Sequence, residues 1–212
     1  MKRLALLLLV CGPVYAESPL FSMTGVDRLE YLTDDIVAIE ADGWIGRDLN
    51  KFVWKFEGES GDEDEFEVQL LYGRALTAFF DLQLGVRFLD DDVGDETSLA
   101  IGIEGDAPYN LELDVAAFIG DDNVEIRAEV ERDFWLTSRW VLQPRIELEA
   151  GFDDDPERLI DSGLTEIEAG VRLRYELNPR IAPYLGVAWH RRYLSTADES
   201  DTSALAGVSF WF

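Results

Sequence analysis

The chain has very few groups that could hold a soft metal or form a covalent link. Its 212 residues include one Cys, one His and two Met. The cysteine, Cys11, falls inside an N-terminal apolar run. A disulfide framework and thiolate ligands are thereby excluded from everything after residue 16. Basic residues are also scarce: 18 Lys and Arg stand against 44 Asp and Glu, for a formal net charge of −26. Nucleic acid needs a basic footprint, so that class of partner is excluded. No run after residue 16 is apolar for long enough to cross a bilayer as a helix. No composition shift or Pro/Gly/Ser-rich linker divides the chain, and its length suits one domain.

What is present begins with a leader. Lys2 and Arg3 precede apolar residues Leu4 to Val10, Cys11-Gly12-Pro13 breaks the run, and Val14-Tyr15-Ala16 offers a small-residue cleavage site. This is the pattern of a secretory signal over residues 1–16. Bulky Val10 before Cys11 argues against lipidation of that cysteine. Cleavage after Ala16 removes Lys2 and Arg3 from the 18 basic residues, so 16 face 44 acids and the charge becomes −28. Acid-rich chains are often disordered, but this one is 12% aromatic and its apolar residues are patterned. A short segment over 17–25 and a single unit over 26–212 are expected.

The pattern is alternation. In the last residues Ala204, Ala206, Val208, Phe210 and Phe212 recur at every second position, with small or polar Gly207 and Ser209 between them. Phe52, Trp54 and Phe56 oppose Lys55 and Glu57; Phe66, Val68, Leu70 and Tyr72 oppose Glu67 and Gln69. Val124, Ile126, Ala128 and Val130 oppose Glu125, Arg127, Glu129 and Glu131, and Ile167 to Tyr175 opposes Glu166 to Glu176 in the same way. About twelve such segments follow one another. They predict an all-β fold, an antiparallel up-and-down transmembrane β-barrel of about 12 strands embedded in outer-membrane lipid.

The connections support this independently. Acidic ones such as 33–35, 60–65, 90–96, 121–123, 153–162 and 195–203 alternate with aromatic-, Pro- or Arg-bearing ones such as 47–50, 77–80, 106–110, 133–139 and 178–182. Strands running up and down sort connections onto two membrane faces in this manner. A soluble antiparallel sandwich shares the alternation, but leaves the leader, the terminal Phe212 and the charged faces unexplained.

Apolar side chains then face lipid and the charged positions line the lumen. Buried charges persist when paired. Arg127 near Glu125 and Glu129, Arg145 near Glu147 and Glu149, and Arg172 and Arg174 near Glu168 and Glu176 supply partners for a charge ladder that fills the barrel. The alternative is an acidic lumen that attracts cations, with Glu40, Asp42, Glu67, Asp81, Glu112, Asp114 and His190 as candidate metal-facing residues by parity. Catalytic constellations are lacking: His190 and Ser209 share the polar face, with no nucleophile elbow or metalloprotease motif beside them. No enzyme is expected. Asp90-Asp91-Asp92 and Asp153-Asp154-Asp155 lack the ligand spacing of a calcium loop.

Several blocks carry a resemblance. G-W-I-G-R-D-L-N-K-F-V-W-K-F-E-G-E from Gly43, Q-L-L-Y-G-R-A from Gln69, F-D-L-Q-L-G-V-R from Phe80 and G-D-A-P-Y-N-L-E-L-D from Gly105 come first. L-T-S-R-W-V-L-Q-P-R-I-E from Leu136, G-L-T-E-I-E-A-G-V-R-L-R-Y-E from Gly163, A-P-Y-L-G-V-A-W from Ala182 and the final F-W-F follow in order. In this order they resemble the copper resistance protein B family. The resemblance implies an outer-membrane barrel serving copper tolerance, with copper bound or moved out of the periplasm, and a periplasmic copper protein as a partner. Members commonly carry a Met- and His-rich segment ahead of the barrel; here only Met23 and His190 offer such ligands after the leader.

Overall fold

The computed structural model describes residues 19–212 apart from 34, 62–63, 122, 155–160 and 196. The leader over 1–16 lies outside the described residues. The elements are β1 (Phe21–Leu32), β2 (Val37–Arg47), β3 (Asn50–Ser60), β4 (Glu65–Ala75), β5 (Phe80–Asp90), β6 (Asp95–Ala107) and β7 (Leu111–Ile119). They continue as β8 (Val124–Glu131), β9 (Phe134–Trp135), β10 (Trp140–Gly151), β11 (Gly163–Tyr175), β12 (Ile181–Arg192) and β13 (Glu199–Trp211). Each pairs antiparallel with its neighbours, and β13 returns to β1 through Gly25↔Trp211 and Tyr31↔Ala206, which closes the sheet.

The closed barrel has twelve strands. β8 pairs with the upper part of β10, and the two-residue β9 resumes the same edge lower down at Val141↔Trp135 and Leu142↔Phe134. They are two pieces of one strand position, broken near Asp133. Closure joins β13 to β1, and apart from the outer edge of the two-residue β9 the strands satisfy their backbone within the sheet, the condition for crossing lipid.

The lipid side is the apolar phase of the alternation. Phe52, Leu70, Tyr72, Leu84, Ile101, Ile146, Val171 and Val187 are all exposed on the outer surface, while Glu67, Gln69, Gln83, Arg87, Arg145 and Arg172 are buried inside. Exposed Phe79, Tyr109, Trp135, Trp140 and Phe212 gather at the end that carries the short turns and the chain terminus. With short turns and termini periplasmic, this is the periplasmic girdle. The two threonine turns there are built alike. Thr77 Oγ1 accepts from the amides of Phe79 and Phe80 at 3.1 and 3.0 Å. Thr137 Oγ1 accepts from those of Arg139 and Trp140 at 3.2 and 3.0 Å. At the other end Ser162 donates its amide to Asp154 at 2.8 Å, which holds that exposed carboxyl below its ordinary range.

Three features differ from the sequence-based expectation. The first strand begins at Phe21, inside the segment expected to precede the barrel. Its register shifts between Val26 and Arg28, a bulge that turns both Asp27 and Arg28 into the lumen, where strict alternation allows one. The lumen is also not filled by charge alone. Val53, Leu71, Ala100 and Phe118 form a buried apolar cluster on its wall, with Trp44 and Ala116 packed against it.

Candidate functional site

The lumen divides into two zones. In one, arginines from five strands each hold carboxylates that come from other strands. Arg127 reaches Glu149 at 2.7 Å, Glu57 at 3.1 Å and Glu67 at 3.1 Å, with Glu147 at 3.7 Å. Arg87 grips Glu125 through both terminal guanidinium nitrogens at 2.9 and 3.2 Å, and its guanidinium lies 3.9 Å over the Phe118 ring. Arg145 takes Glu129 at 2.6 Å and Glu168 at 3.0 Å and also pairs with Glu147. Arg172 holds Glu30 bidentately at 2.5 and 3.1 Å. Arg28 pairs with Glu40 and stands 3.9 Å from Glu168. The charge ladder expected from sequence is thus present, but its rungs run across the lumen more than along one strand.

Below this knot lies a cavity of about 420 Å³. Its roof is shared with the knot through Arg28, Glu40, Glu57, Arg127 and Glu129, and it extends to Met23, Asp106 and Trp211 at the periplasmic end. Carboxylates dominate its wall. Asp42 lies within hydrogen-bonding reach of Asp27, whose Oδ1 also accepts from Trp211 Nε1 at 3.2 Å. Glu112 faces Glu131 across the β7–β8 pair. The compensating cations are few: Lys55 pairs with Asp114 and with Glu104 at 2.7 Å, and Arg174 pairs with Asp133 at 2.6 Å.

Of the seven candidates from sequence, four meet on this cavity: Glu40, Asp42, Glu112 and Asp114. The other three lie elsewhere. Glu67 is 2% exposed and is consumed by Arg87 and Arg127 in the knot. Asp81 is tied to Lys51 at 2.6 Å. His190 sits at the extracellular end with Nε2 2.8 Å from Glu166, a carboxylate that also lies 3.4 Å from Arg192. Asp27, Glu104 and Glu131 face the cavity as well and were not among the candidates. The bulge hid Asp27, whereas the parity of β6 and β8 could have supplied Glu104 and Glu131.

Among the described residues, no three His, Cys, Asp or Glu side chains gather in a geometry that would hold a metal ion. Ser209 and His190, which share the polar face in the sequence, are not brought together. Ser209 is paired with Ala182, eight residues along β12 from His190, and its hydroxyl donates to the Asp27 carbonyl at 2.6 Å.

Comparisons with known proteins agree with this architecture. The family model described as Copper resistance protein B precursor matches residues 20–212. A Copper resistance protein B homolog of Pseudomonas syringae pv. tomato is 36% identical over 210 residues, covering 92% of this chain and 71% of that protein. Copper resistance protein B of Escherichia coli is 34% identical over 215 residues, covering 95% and 73%. Among solved structures, the NanC porin superposes with a TM-score of 0.60 at 15% identity, covering 88% of this chain and 98% of that one. The KdgM porin gives 0.55 at 15%, covering 91% and 99%. At that identity the two porins support the barrel fold and nothing finer.

Proposed function

Since the chain belongs to the copper resistance protein B family and forms an outer-membrane barrel, we propose that copper is its cargo, taken from the periplasm into the acidic cavity as Cu(II). One observation carries this reading: the lumen gathers carboxyl groups into an acidic field on its periplasmic side, Asp27 beside Asp42 and Glu112 beside Glu131, beneath a roof where arginines pair the acids. Such a field raises the local concentration of a divalent cation. Among divalent ions, oxygen-ligand sites bind copper more tightly than zinc, and magnesium gives up its water reluctantly. Ligation by scattered carboxylates makes binding weak and exchangeable, which suits passage to or from a periplasmic copper protein better than storage. The knot restricts free flow toward the extracellular side. The role is one of binding and transfer, without catalysis.

A second reading is favoured by the poverty of soft ligands. Met23 is the one sulfur on the cavity wall, so the barrel could act as an acidic pore that favours cations without choosing copper. Calorimetry on the refolded barrel in detergent at neutral pH, with magnesium and zinc as competitors, separates the two. Copper binding that survives excess magnesium is expected. Equal and weak binding of all three ions would discard copper as the selected cargo.

A further inference from the structure

The strand position shared by β8 and β9 reaches lower than its neighbour on the β7 side. Glu112↔Glu131 is the last pair between β7 and β8, and below it the β6–β7 hairpin turns back at Tyr109 and Asn110, whose φ values of 70° and 56° are left-handed. The chain from β8 runs on past Asp133 to Trp135, and β10 holds it in one register through Arg145↔Glu131, Leu142↔Phe134 and Val141↔Trp135. Among the described residues no strand lies along the other edge of β9. Arg132 donates its amide to the Pro144 carbonyl and Leu136 donates to that of Trp140, so Arg132, Phe134 and Leu136 turn their backbone toward β10. By the alternation of an antiparallel ladder, the amides and carbonyls of Asp133 and Trp135 point to the open edge.

We infer that this edge docks an extended segment of a periplasmic protein by antiparallel strand addition, the segment carrying basic side chains at alternate positions with apolar ones between. Register sets that pattern. Trp135 pairs with Val141, which is fully buried, and Asp133 pairs with Arg174 of the cavity wall, so both face the periplasmic mouth of the lumen while Phe134 and Leu136 face outward. Residues of an added strand that stand opposite Asp133 and Trp135 share their face. Asp106 and Glu112, paired across the gap on β6 and β7, line the same mouth and make its field negative. Asp133 offers a specific acceptor there: Oδ2 takes Arg174 at 2.6 Å, while Oδ1 is buried without a hydrogen-bond partner among the described residues. A Lys or Arg opposite Asp133 supplies the donor, and the Trp135 ring beside it suits a cation. The residue between faces outward with the exposed Phe134 and Leu136 at the membrane interface, where an apolar side chain fits. Main-chain bonds then supply the affinity of an added strand, and the alternating side chains supply the choice of partner. The inference rests on the periplasmic placement of this end and is independent of copper.

The test is fluorescence anisotropy of labelled synthetic peptides on the full refolded barrel in detergent at neutral pH. The probe is a short peptide alternating Lys with Val. Its controls are the Glu–Val counterpart and a Lys–Val peptide whose backbone is N-methylated at each Lys. The native chain is expected to bind Lys–Val, to ignore Glu–Val, and to bind the N-methylated peptide about tenfold more weakly, the worth of one to two backbone hydrogen bonds. Trp135→Pro removes the amide that points to the open edge and leaves the β10 ladder intact, so it should weaken Lys–Val binding about tenfold; Trp135→Ala keeps that amide and should stay within about threefold. Asp133→Asn should cost about fivefold. Far-UV circular dichroism verifies that each variant keeps its strands, and the N-methylated peptide reports on the unaltered barrel. Failure of Lys–Val to bind, equal binding of the N-methylated peptide, or equal binding of Glu–Val would each overturn the inference. So would a dimer seen by light scattering without peptide and lost in Trp135→Pro, since a second copy would then cover the edge.

Discussion

The two zones of the lumen are built from the same strands and the same alternation of Glu with apolar residues, yet they behave as opposites. In the knot, Arg87, Arg127 and Arg145 each face three or four carboxylates within ion-pair distance. In the cavity, acids face one another or solvent, and Lys55 and Arg174 answer only part of them. The number of acids does not decide the character of either zone. The position of arginine does, because a guanidinium can satisfy several carboxylates at once and so convert an attracting surface into a filled one.

The strongest way to break this contrast is to remove the centre of the knot. Arg127→Ala leaves Glu57, Glu67, Glu147 and Glu149 without their shared partner inside the barrel. Breaking a buried network by deleting one member costs about 3–5 kcal/mol, read as a lower urea midpoint for unfolding from detergent. A loss below about 1 kcal/mol would mean that water already solvates these carboxylates and that the knot is not a closed zone.

The cavity should respond in the other currency, affinity in place of stability. Asp42→Asn combined with Glu112→Gln removes two carboxyl groups from the wall without touching the knot. A weakening of copper binding by about tenfold is expected from charges acting at a few ångströms through a partly hydrated medium, with the unfolding midpoint little changed. Unchanged copper affinity would take the cavity out of consideration as the place of binding.

How much of this could be read beforehand follows from what alternation encodes. Parity along one strand put Glu67, Arg127 and Arg172 inside correctly, because each side of a membrane strand must match its solvent. Partners were not legible: Arg127 meets Glu57 and Glu67 from strands across the barrel, and that requires register and tilt, which no single strand carries. Asp27 was hidden by the bulge beside it. Phe118 was missed for a different reason. An inward aromatic breaks the polar phase, and its place is accounted for by the apolar cluster of Val53, Leu71 and Ala100 and by the Arg87 and Arg127 guanidiniums over its ring.

Outside the lumen, charge pairs should matter little. Arg191 and Asp198 pair at 2.6 Å at the extracellular end with both side chains substantially exposed. Arg191→Ala is expected to cost under about 1 kcal/mol, since water screens such pairs. A loss comparable with that of Arg127→Ala would show that the extracellular ends, and not the knot, limit the stability of the barrel.

The smallest expected effect is the most diagnostic for the cargo. His190 is the one imidazole of the chain, and imidazole is the best copper ligand available to it. Composition therefore points to His190, but geometry sets it apart: it is bound to Glu166 at the extracellular end, while the acidic cavity reaches the periplasmic one. If copper enters by the cavity, His190→Ala leaves its calorimetric affinity within about twofold of the native chain, a change of under about 0.5 kcal/mol. A tenfold loss would place the first copper ligand at the extracellular mouth. The knot would then lie between that ligand and the periplasm, and the direction of copper movement proposed for the barrel would have to be reversed.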